Sequence, residues 1–164
     1  MASGHDDDLA GFVALSADLT GHGGHRLRGT GLAPVYAALL AERSGAETAA
    51  ALLAAHAAAR TSASDSAAAL ERALRLTILS DPRLGPPARS LLKLWYVGVW
   101  QALPPGWHEA WGGAQDDADC VPRPSSYTEG LLWPTVGGNP AGAKPFGYGM
   151  WARPPRIPNP QEEV

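Results

Sequence analysis

The sequence predicts an all-α protein: a small helical bundle of about five helices followed by a long irregular tail. Two observations carry this. Apolar residues recur at helical spacing through the first hundred positions, with no strand-like alternation. Residues 101–164 then hold eleven of the fifteen prolines, nine glycines and four of the six tryptophans. Pro and Gly occur there too often for a helix or a central strand. Solvated linkers are poor in aromatics, and this stretch is rich in them. Such a segment needs a surface to lie on, either its own helical part or another protein. The expected organisation is a helical region over 1–100 and an extended wrapping tail over 101–164 of the same domain.

The elements follow in order. Leu9, Phe12, Val13, Ser16 and Leu19 share a helical face behind the cluster Asp6, Asp7 and Asp8, which suits a helix N-terminus. Five glycines between Thr20 and Gly31 predict a break. Pro34 suits a helix start, with Val35, Leu39 and Leu40 behind it, and Ser44-Gly45 ends that helix. The alanine-rich run Glu47 to Arg60 has high helix propensity but small side chains, so its helix must pack closely. Ser64 or Asp65 is expected to cap the next helix, which presents Leu70, Leu74 and Ile78. Asp81-Pro82 ends it. A last helix is expected from about Pro86 to Trp100, with Leu91, Leu92, Trp95, Tyr96 and Val99 in a broad apolar stripe.

Composition excludes several functions. The net charge is −3, charged residues are 18% of the chain, and Lys93 and Lys144 are its lysines, so no electrostatic footprint for nucleic acid is present. One cysteine, Cys120, excludes an internal disulfide and a multi-cysteine metal site. No apolar run reaches membrane-spanning length. Met1 to Leu9 is acidic and lacks the pattern of a secretory signal, so the chain is expected to stay in the cytoplasm or to leave bound to a partner.

No catalytic, cofactor-binding or metal residue is assigned. His22 and His25 fall in a glycine-rich loop that would not fix ligand geometry for a metal, with or without His5. His56 within the alanine helix reads as an exposed or partly buried helix residue. His108 and Glu109 are adjacent and do not face each other on a helix. Carboxylates around Cys120 disfavour its thiolate. Val136 to Gly142 lacks the helix and the Lys-Ser or Lys-Thr pair of a phosphate loop. No Gly-x-Gly-x-x-Gly fingerprint for a flavin or nicotinamide is present. The aromatics remain. Tyr and Trp bury large area at low rotamer cost and anchor interfaces.

Three segments resemble one family. The first is Phe12 to Gly21, ending in Leu19-Thr20-Gly21. The second is Leu91 to Val99, with Trp95-Tyr96-Val97-Gly98. The third runs from Tyr127 through Leu131-Leu132-Trp133-Pro134 to Gly149-Met150-Trp151-Ala152-Arg153-Pro154-Pro155. Together they resemble the small subunit of bacterial membrane-bound FAD-dependent sugar and polyol dehydrogenases, the group of the sorbitol, fructose, glucose and gluconate enzymes. The family's cysteine near the end of its tail has no counterpart here. The resemblance implies a non-catalytic accessory, chaperone-like subunit that supports folding, stability or export of a large flavoprotein of the glucose–methanol–choline type. A multihaem cytochrome c subunit often completes the assembly. FAD, and haem c where present, would belong to those partners, and the complex would lie on the periplasmic side of the inner membrane. Trp95, Tyr96 and Trp100 would join helix to tail. Tyr127, Trp133, Phe146, Tyr148 and Trp151 would anchor the tail or touch the large subunit. The alternative from the residues alone is a free-standing helical interaction protein or a transient chaperone.

Overall fold

A computed structural model of the chain describes residues 3–140, with side chains from residue 8 onward. Among the described residues the protein is all-α, with no strand beyond one isolated antiparallel bridge. Helix α1 spans Ser3–Thr20 and buries Phe12, Val13 and Leu15, while Leu9 and Leu19 are half-buried at its ends. Gly21 turns the chain away with φ +74°. The glycine-rich break then contains a helix that the sequence does not announce, α2, Gly24–Gly29. Its single buried side chain, Leu27, pins the turn to the core, and packing along α1 holds the glycine-flanked hexamer in helical geometry.

Helix α3, Ala33–Ser44, opens with Pro34 in its first turn and turns Tyr36, Leu39 and Leu40 inward. Gly45, at φ +82°, separates it from α4, Ala46–Ala63. Along α4 the inward residues are Thr48, Leu52, His56, Ala59 and Ala63, a row at helical spacing. Alanine between them leaves room for α3 and α5 to pack against α4.

The cap of α5 (Ala67–Leu74) is Ser66 rather than Ser64 or Asp65: its Oγ accepts from the Ala69 N–H at 3.3 Å. Ser64 and Asp65 instead make the left-handed turn before it, at φ 45° and 65°. α5 runs into a π-helical turn, Arg75–Leu79, which places Ile78 fully in the core and leaves Leu76 exposed. Asp81 Oδ1 then accepts from the N–H groups of Arg83 and Leu84 at 2.8 and 2.7 Å and starts the next helix.

Helix α6, Gly85–Val97, buries Ala88, Leu91, Leu94 and Trp95. It stops at Gly98, φ +77°, three residues short of the predicted end at Trp100, because the left-handed glycine closes the helix on the Leu94 carbonyl. Trp100 pairs instead with Cys120 through two backbone hydrogen bonds of 2.8 and 3.0 Å.

Residues 101–140 contain three short helices, α7 (Trp107–Trp111), α8 (Pro124–Thr128) and α9 (Leu132–Thr135). They lie on the chain's own helices: Leu103, Trp107 and Leu131 are buried in the same core as Phe12, Tyr36 and Trp95. The surface this part of the tail needs is therefore supplied within the chain.

Candidate functional site

One junction joins the C-terminal ends of α1 and α6 to residues 124–138. Tyr96 donates its hydroxyl hydrogen to the Thr20 carbonyl at 2.8 Å, bridging 76 positions of sequence. The His22 ring lies 6.0 Å from the Tyr96 ring. The Leu131 N–H donates to the Trp95 carbonyl at 3.0 Å. Thr135 lies beside His22, Oγ1 to Nε2 at 3.5 Å, and donates to the Leu131 carbonyl at 2.7 Å.

Two glycines make this approach close enough. A Cβ on Gly98 would sit 2.5 Å from the Ser126 carbonyl oxygen, and one on Gly130 would sit 2.8 Å from the Tyr96 carbonyl oxygen. Only backbone fits in either gap.

A second cluster fixes the segment between α6 and α8. The Asp117 side chain is 2% exposed. Its carboxylate accepts from Trp100 Nε1 at 2.9 Å and from the Leu103 N–H at 2.8 Å, and lies 3.2 Å from His108 Nε2 and 3.8 Å from the Arg43 guanidinium. His108 Nδ1 faces the Gly112 carbonyl at 3.0 Å. His108 thus works with Asp117, nine positions away, and not with its neighbour Glu109. A buried carboxylate this fully occupied is a clamp on the loop, not a base open to a substrate.

A third polar contact crosses the bundle. His56 is buried, and its Nε2 lies 2.7 Å from Asp18 Oδ2, which also accepts from Arg60 at 3.0 Å. Burial of His56 departs from the exposed or partly buried position its alanine-rich surroundings suggest. Asp18, His22, Leu70, Glu71, Leu74 and Arg75 line a cavity of about 700 Å³, whose described lining has no serine, cysteine or lysine to serve as nucleophile. An apolar groove of about 420 Å³ runs between α1, α3 and α4, lined by Leu9, Phe12, Leu40 and Leu53 with alanines. Among the described residues no group of three or more His, Cys, Asp or Glu is placed to hold a metal, and no helix is long and apolar enough to cross a membrane.

The aromatics separate by position. Trp95 and Trp100 are fully buried, Trp95 edge-on to Tyr36 at 4.7 Å. Tyr96 is half-buried at the junction. Tyr127 is exposed and Trp133 half-buried; their rings meet edge to face at 5.2 Å, and Trp133 Nε1 donates to the Tyr127 carbonyl at 2.7 Å. Phe146, Tyr148 and Trp151 lie outside the described residues. Nothing local in the sequence distinguishes the buried Asp117, or the Asp18–His56 pair, from the acids and histidines around them. Compared with known proteins, the chain matches no family model, no curated protein and no solved structure.

Proposed function

We propose that the chain is a non-catalytic accessory subunit of an FAD-dependent sugar or polyol dehydrogenase, binding a large flavoprotein and supporting its folding, stability or export. FAD belongs to that partner in this reading. Hydride removal from a sugar or polyol C–OH, and transfer of electrons to haem or quinone, take place there. The complex acts on the periplasmic side of the inner membrane, reached with the partner.

One observation carries the reading. The described parts of the three segments that resemble the dehydrogenase small subunits are far apart in sequence and meet at the end of one helix. Leu19-Thr20-Gly21 meets Trp95-Tyr96-Val97-Gly98 through the Tyr96 to Thr20 hydrogen bond. The Leu131-Leu132-Trp133-Pro134 segment meets the same helix end through Leu131 and Trp95. The helix end at Trp95-Tyr96 is the element on which the other two segments meet.

Disruption of the gene in the source organism tests the proposal. Membranes of the disrupted strain are expected to lose dye-linked oxidation of sorbitol, fructose, glucose or gluconate, with recovery on restoring the wild-type chain. Unchanged oxidation of all four, with unchanged membrane flavin, would reject it.

A further inference from the structure

We draw no further inference here: the strongest candidate, the cavity of about 700 Å³ between the end of α1, α5 and the π-helical turn, carries none, because its Asp18 is engaged by His56 and Arg60 and its Glu71 by Arg75, and nothing among the described residues shows what covers it.

Discussion

Asp117 holds its loop through charge as well as shape, and the two separate by substitution. Asn keeps the volume but turns one acceptor into a donor facing Trp100 Nε1, the Leu103 N–H or His108. Asp117→Asn is therefore expected to cost about 1–3 kcal/mol, the penalty of leaving a buried donor unpaired. Asp117→Ala is expected to cost more than Asp117→Asn, because Trp100 Nε1 and the Leu103 N–H both lose their acceptor. Chemical denaturation checks both; a wild-type midpoint for the Asn variant would remove the clamp from the account. Tyr36 makes the opposite case. Its hydroxyl and that of Ser126 are buried near each other, and neither has a partner at ordinary hydrogen-bond distance and angle. Burial pushes the Tyr36 hydroxyl above its ordinary pKa of 10.0, the Ser126 hydroxyl pulling the other way. The folded state thus favours the neutral phenol. Its stability contribution is complete below pH ~10 and is lost as pH rises further, when the unfolded chain ionises and the folded one resists. Tyr36→Phe removes an unpaired polar group, so its stability at neutral pH is expected to equal or exceed wild type by up to about 1 kcal/mol. Between pH 9 and 11 the variant's melting is expected to fall less steeply than wild type's. Equal slopes would contradict the assignment.

Each helix end depends on a few backbone positions, and Gly98 is the most constrained. Its φ of +77° disfavours any Cβ, and its neighbour Ser126 leaves no space for one. Gly98→Ala is expected to cost more than the ~1–2 kcal/mol of the left-handed conformation alone, because α8 must also move. Hydrogen exchange should then rise across 120–138 before it rises in α1 to α4. A uniform rise would mean that α8 and α9 fold as one unit with the bundle. The long helices were legible because their inward rows, such as Leu91, Leu94 and Trp95, follow helical spacing over several turns. Helix α2 was not, because glycine at five of twelve positions outweighs the single leucine that tertiary contact uses. The short helices α7 to α9 were hidden for a similar reason: four or five residues carry too little periodicity to read, and contacts with distant parts of the chain hold them.

At the scale of the molecule, residues 3–140 bury one core to which the bundle and the tail both contribute. The aromatic content of the tail was visible in the sequence, but its division was not. Trp100 and Trp107 are core side chains held by Asp117 and the Arg83 carbonyl, while Tyr127 is exposed and Trp133 half-buried. The Tyr96 to Thr20 contact was equally hidden, since composition holds no record of pairings 76 residues apart. The proposed role, a subunit that carries no flavin itself but binds a protein that does, is open to test by an absorption spectrum. The tagged chain is purified from its source organism under native conditions, and the visible bands are read before and after the complex is dissociated. Flavin bands at about one flavin per chain are expected in the complex, and none on the isolated chain. Stoichiometric flavin on the isolated chain, or a native preparation holding the chain alone without flavin, would contradict it.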